Sequence, residues 1–155
     1  MEPVDPDVDL HLPAHRAETV GSGLWKVLAA VSAGGVLGAL ARYGATELWP
    51  ARWAVLGVNV VGCALIGVLM VLVSEMGSAH PLVRPFLGTG VLGGFTTFSA
   101  YAVDFAELLQ EERVGAALGY ASGTLVGALG AVWAAASVTR WAVARRSPSE
   151  AVGHR

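Results

Sequence analysis

Four apolar stretches, approximately Leu24–Trp49, Trp53–Ser74, Arg84–Leu109 and Gly115–Val138, dominate a chain of 155 residues. Each is long enough to cross a bilayer as a helix, which takes roughly 20 mostly apolar residues. Lipid offers no water to backbone polar groups, so a spanning segment must satisfy its own hydrogen bonds, and an α-helix does. Charged residues make up 14% of the chain, against about 25% in soluble domains, and they avoid these stretches. The expectation is an all-α protein of the cell membrane, with four transmembrane helices in one compact domain over residues 24–141.

The flanks differ in kind. Residues 1–23, MEPVDPDVDLHLPAHRAETVGSG, hold five acids and three prolines with no apolar face, a composition that predicts a disordered tail. A secretory leader begins with basic residues followed at once by an apolar core; this segment has neither, so the first helix is expected to be retained. Residues 142–155 read as a basic C-terminal tail.

Four spans put both termini and the loop near Arg84 on one side of the membrane. That side carries seven basic residues, Arg16, Lys26, Arg84, Arg140, Arg145, Arg146 and Arg155, against Arg42, Arg52 and Arg113 on the other. Discounting the distant Arg16 and Arg155 leaves five against three, and the positive-inside rule then places the termini in the cytoplasm. Trp25, Trp49, Trp53, Trp133 and Trp141 fall near span ends, where aromatic belts anchor helices. The single Cys63 has no disulfide partner and reads as a small packing residue in the second span. The net charge of −2 names no partner, and no nucleic-acid partner is expected.

Glycine spacing predicts close helix contacts. Gly34 and Gly38 are four apart in the first span, and Gly119, Gly123 and Gly127 form a GxxxGxxxG series in the fourth. Small residues at this spacing let helix backbones approach where lipid removes the usual hydrophobic drive. Four short helices enclose little volume, so some of these faces are expected to meet a second copy or a related chain.

Polar residues inside spans are costly and mark function by default. Asn59 lies in the second span; Tyr120, Ser122 and Thr124 lie in the fourth. Arg42 and Glu47 approach the end of the first span, and Asp104 and Glu107 stand in the third. The stretch GGFTTFSAY, Gly93–Tyr101, is the sharpest interruption: two glycines, two threonines and a serine break an apolar run. Non-helical backbone at membrane depth is tolerated only when buried in protein or lining a cavity. Released carbonyls can coordinate a cation such as sodium; a simple kink relieved by threonine hydroxyls is the other reading. None of these groups forms a catalytic triad, a metal-spaced His/Cys cluster or a phosphate loop, so an enzyme is not expected. Neutral donors suit permeation, because a pore must admit its ion and still release it.

Three stretches, GGVLGALARYG (Gly34–Gly44), GVNVVGCALIG (Gly57–Gly67) and GTGVLGGFTTFSAYAVD (Gly88–Asp104), resemble the signature segments of the CrcB/Fluc fluoride channels. The four-span layout matches over roughly Val27–Val138. The resemblance implies a dual-topology dimer of antiparallel subunits enclosing two fluoride pores. It implies a structural sodium ion at the dimer centre on backbone carbonyls of a broken third helix, here Gly93 and Thr96. Phe98 and Tyr101 map to two phenylalanines whose ring edges line the pores, with Thr97 and Ser99 beside them. Asn59, Tyr120 and Thr124 map to the polar path, and Arg42 to an arginine near a vestibule. A positive ring rim is a reasonable anion contact.

Two departures stand out. Tyr101 replaces the second phenylalanine, and Ala128 and Val132 stand where the polar track of the fourth span continues in the family. The resemblance implies passive export of fluoride from the cytoplasm. Two alternatives remain: a non-conducting or half-conducting subunit paired with a paralogous, oppositely oriented partner in place of a homodimer, and a small proton-coupled exporter. The exporter needs a mid-membrane acid in the first span, where only Glu47 stands, near the end.

Overall fold

The computed structural model describes residues 22–49, 52–75 and 80–146. Most of the acidic tail and residues 147–155 lie outside the described residues. Six helical elements follow in order: α1 (Ser22–Leu48), α2 (Arg52–Glu75), α3 (Arg84–Leu92), α4 (Gly93–Phe95), α5 (Phe98–Gln110) and α6 (Val114–Arg146). They build four helices long and apolar enough to cross a membrane, Gly23–Leu48, Arg52–Ser74, Arg84–Gln110 and Val114–Arg145. The protein is therefore an all-helical, multi-pass membrane protein over the described residues.

Apolar runs without internal proline make the first two helices, and Pro50 in the sequence forbids α1 from continuing. The start of the third span is wound differently. Over Arg84–Leu92 the chain adopts π-helical turns, with Pro85 in the first turn, where its missing N–H costs nothing. Gly88 and Gly90 loosen this winding, and the Gly93 N–H reaches the carbonyls of both. The fourth helix runs further than the expected end near residue 141, continuing through Ala142–Arg146. Alanine and arginine are strong helix formers, and the next breaker in the sequence is Pro148.

Two seams organise the bundle: α1 packs along α3 and α4, and α2 packs along α6, with α5 folded back onto α6. The first seam is a backbone-to-backbone contact. A methyl group at Gly34 would strike the Phe86 carbonyl, and one at Gly38 the Val91 carbonyl. The second seam is equally close at Gly67, where a methyl group would strike the Val132 carbonyl, and looser at Gly127, whose would-be methyl sits 3.1 Å from Val60 Cγ2. Around Gly119 and Gly123 there is open space.

Little of the molecule is enclosed. A small core of Leu108, Ala117 and Tyr120 is packed by Leu56, Phe105 and Ala116. Val126, Leu129 and Trp133 on α6 remain exposed, as suits a surface facing lipid or another subunit.

α5 and α6 are joined by a tight turn. The Glu112 and Arg113 N–H groups donate back to the Leu109 and Leu108 carbonyls, at 3.0 Å each. Glu112 takes the left-handed conformation, φ 58°, that ends a helix in this motif.

Candidate functional site: a polar cleft beside Thr96 and Thr97

α4 ends at Phe95 and α5 begins at Phe98; between them Thr96 (φ −74°, ψ 155°) and Thr97 (φ −147°, ψ 125°) are extended. The sequence favours this. Gly93 and Gly94 are poor helix formers, and threonine can offer its hydroxyl to a neighbouring N–H instead of the helix ladder. Thr97 does so, its Oγ1 accepting the Ala100 N–H at 3.3 Å and capping α5.

The freed backbone groups find partners on two neighbouring helices. The Asn59 amide of α2 clasps Thr97 at both ends: Nδ2 donates to the Thr97 carbonyl at 2.9 Å, and Oδ1 accepts the Thr97 N–H at 2.8 Å. Only an amide offers a donor and an acceptor side by side in this way. From α1, Arg42 Nε donates to the Gly94 carbonyl at 3.3 Å. Thr96 Oγ1 donates to the Leu92 carbonyl at 3.0 Å. The Thr97 N–H, the donor that would otherwise close a helical turn on the Gly93 carbonyl, is thus taken by Asn59. Among the described residues no N–H donates to the Thr96 carbonyl either.

Beside the extended pair lies an open cavity of about 480 Å³, bordered by Asn59, Thr96, Thr97, Phe98, Tyr101 and Thr124. Three helices, far apart in sequence, bring these six residues together. Phe98 is 79% exposed in this chain, so it is not a core residue. Its ring centroid lies 5.5 Å from that of Tyr101, tilted by 43°. Tyr101 in turn stacks on Tyr120 at 5.7 Å. Asn59 Nδ2 carries two hydrogens and spends one on Thr97, which leaves a neutral donor in the cleft. The Thr124 hydroxyl donates to the Tyr120 carbonyl at 2.8 Å, so it presents lone pairs until it rotates.

Tyr120 lies one step further along, on a second cavity of about 380 Å³ that it shares with Arg52 and Arg113. Its hydroxyl donates to Asp104 Oδ2 at 2.8 Å. Across the mouth of this cavity, Arg52 Nη2 meets Glu111 at 2.6 Å and Glu107 at 3.6 Å, and Arg113 meets Glu111 at 3.3 Å. The hydrogen bond from Arg52, reinforced by Arg113, holds the exposed Glu111 carboxyl below its ordinary range.

The remaining expected residues fall elsewhere. Arg42 is engaged at Gly94 and does not border either cavity. The Ser99 hydroxyl lies 3.2 Å from Thr97 Oγ1 on an exposed face. Ser122 turns outward, donating to the Leu118 carbonyl. Ala128 borders the larger cavity, where it adds an apolar wall. Two participants were noted in the sequence without the parts they take here. Cys63, expected only to pack, borders the cavity; its position one helical turn after Asn59 carried that signal. Asp104, three residues after Tyr101, bonds Tyr120, a pairing across 16 positions that helical spacing within one element does not reveal.

Four bilayer-length helices, three of which border a cleft of neutral donors and aromatic rings, define a small multi-pass membrane protein. Within that class, the chain belongs to the CrcB-like family (CrcB, camphor resistance), whose family model matches residues 29–136. It is 53% identical over 119 residues to the fluoride-specific ion channel FluC 1 of Streptomyces coelicolor, covering 74% of this chain and 77% of that one. Against the fluoride-specific ion channel FluC 2 of Thermobifida fusca it is 55% identical over 120 residues, covering 74% and 89%. Against the fluoride-specific ion channel FluC of Pseudomonas putida it is 43% identical over 121 residues, covering 74% and 98%.

Proposed function

We propose that this chain is a subunit of a fluoride-selective channel that lowers cytoplasmic fluoride by passive export. The observation that carries the reading is the convergence of Asn59, Phe98, Tyr101 and Thr124 on one cleft. That cleft lies in a family whose relatives at 43–55% identity are fluoride-specific channels. A weak acid explains the need: hydrogen fluoride crosses lipid neutral, ionises inside and is trapped as an anion. A passive path lets the membrane potential drive that anion out.

The cleft chemistry suits a small, strongly hydrated anion. The second Asn59 N–H and the positive rims of Phe98 and Tyr101 replace water without the deep trap that a fixed cation would set. Tyr120 extends the path toward the second cavity. The hydroxyl of Tyr101 and the apolar Ala128 make this path less uniform than a rail of hydroxyls alone.

The extended Thr96–Thr97 pair, in this reading, interrupts the third helix at mid-membrane. The subunit works as one half of an antiparallel pair, with the exposed Phe98 facing the shared pore. Gly93 is exposed and a side chain there would meet nothing closer than 3.8 Å, so packing within one subunit does not require glycine. A partner at close range does. The released carbonyls of Gly93 and Thr96 are hard oxygen donors of the kind that fit a sodium ion at the centre of such a pair. Among the described residues no cluster of His, Cys, Asp or Glu offers a competing metal site. The termini lie on the cytoplasmic side by the charge bias. Relatives numbered FluC 1 and FluC 2 support the alternative in which the second subunit is a paralogue.

The test is fluoride efflux from liposomes holding this chain alone. The reading expects flux that is cut at least tenfold by Phe98→Ile while the protein stays folded. Unchanged flux in that variant would remove the assigned path. Flux that appears only with a co-expressed paralogue would select the heteromeric alternative.

A further inference from the structure

The fourth helix is longer than the hydrocarbon core requires, and its far end carries a feature that conduction does not use. At 1.5 Å per residue, the 27 positions from Arg113 to Arg140 span about 40 Å. That matches the roughly 40–45 Å from one headgroup layer to the other. With Arg113 at one membrane face, Arg140 therefore stands among the headgroups of the opposite leaflet. One turn beyond, the Arg145 guanidinium lies 3.5 Å over the Trp141 ring, a cation and an aromatic anchor of the interfacial kind.

At that depth the ends of α2 and α6 part around a cavity of about 250 Å³, bordered by Met70, Val71, Ser74, Ala136 and Arg140. Met70, Val71 and Ala136 give it apolar walls, and Arg140 supplies its charge. The Ser74 hydroxyl already donates to the Met70 carbonyl at 2.8 Å, so Arg140 is the cavity's strong donor. A slot with apolar walls beside a guanidinium at headgroup level suits part of a phospholipid: a segment of one acyl chain against Met70, Val71 and Ala136, with the phosphate on Arg140. Basic pockets between transmembrane helices recognise anionic headgroups in this way.

We propose that the slot between the C-terminal ends of α2 and α6 is a binding site for an anionic phospholipid, with Arg140 as its phosphate ligand. Arg145 and Trp141 lie on a neighbouring sector of α6 and set the helix depth; they are not ligands of the slot. The two arginines therefore differ in role, which separates a built site from diffuse attraction.

The full chain, extracted from vesicles of mixed phosphatidylglycerol and phosphatidylcholine, is analysed by native mass spectrometry for retained lipid. Phosphatidylglycerol is expected to be retained in preference to phosphatidylcholine. Arg140→Gln should lower that preference about tenfold, the worth of one charged hydrogen bond. Arg145→Gln should lower it no more than about fivefold, and Arg140→Lys should keep part of it. Equal retention of both lipids, or equal losses in the two glutamine variants, overturns the proposal. Thermal unfolding of each variant in neutral detergent shows whether it is folded. If Arg140→Gln fails that control, Ala136→Leu, which fills the slot and leaves the charge, must displace the lipid; retention by a folded Ala136→Leu also overturns it.

Discussion

The glycines of α1 and the glycines of α6 share a spacing and differ in surroundings. Gly34 and Gly38 press on the backbone of α3, so closely that no side chain fits. Gly119 and Gly123 look onto open space. The same sequence pattern therefore marks a closed seam in one place and a vacant face in another. Spacing announces that something can come close; it does not say what. The closed seam holds the chain together; in the proposed reading the open side, with Phe98 and the cleft, is where it meets ions, lipid or a partner.

The largest effect should come from filling the closed seam. Gly38→Val places atoms on the Val91 carbonyl, and overpacking at a backbone contact costs about 3 kcal/mol. The expected outcome is loss of monodisperse protein in detergent. Gly35→Ala, three residues earlier, where the added methyl would meet nothing within 4 Å, should unfold at the wild-type temperature. Equal stability of the two would erase the distinction between a packed and an open glycine position.

Asn59 belongs to both sides, since its amide holds Thr97 in place and also lines the cleft. Asn59→Ala leaves the Thr97 N–H and carbonyl without their partner, at about 2 kcal/mol, and should lower both thermal stability and fluoride flux. Stability lost with flux retained would show that Asn59 only fastens the helices.

Gly123→Leu sharpens the contrast on the open side. It should leave the subunit folded and weaken pairing of two subunits, read as a shift toward monomer by sedimentation in detergent. A dimer of unchanged strength would assign that face to lipid.

The smallest effect is expected at the turn between α5 and α6. Because Glu111 has a lowered folded-state pKa, its contribution to stability is fully present above the ordinary carboxylate value. It is lost as pH falls through the lowered one. The stability difference between wild type and Glu111→Gln should therefore be small at neutral pH and vanish in acid. Exposed ion pairs contribute little, so a large difference would mean that the turn anchors more than it touches.

Much of the fold was legible because bilayer-length apolar runs leave few choices. Three of the four spans end within two residues of where hydropathy put them. The fourth runs on to Arg146, since nothing in Ala142–Arg146 breaks a helix. The π-helical winding of α3 was not legible: Gly90 there packs against Gly34 and Val31 of α1, a tertiary contact. In the site, Asn59 and Thr124 were visible as polar residues where lipid penalises them, and Phe98 only through the resemblance of Gly88–Asp104 to a known family. The bond from Tyr120 to Asp104, and the commitment of Arg42 to Gly94, depend on how helices lie beside one another. Periodicity along one helix does not carry that information.

The most direct measurement is ion-selective-electrode recording of efflux from liposomes containing this chain alone, loaded with fluoride or with chloride, under a potassium-diffusion potential. Fluoride should leave at a rate set by the potential, chloride should stay, and Phe98→Ile should silence the fluoride signal. Chloride leaving as fast as fluoride, or fluoride leaving equally well through the Phe98→Ile chain, would contradict the account.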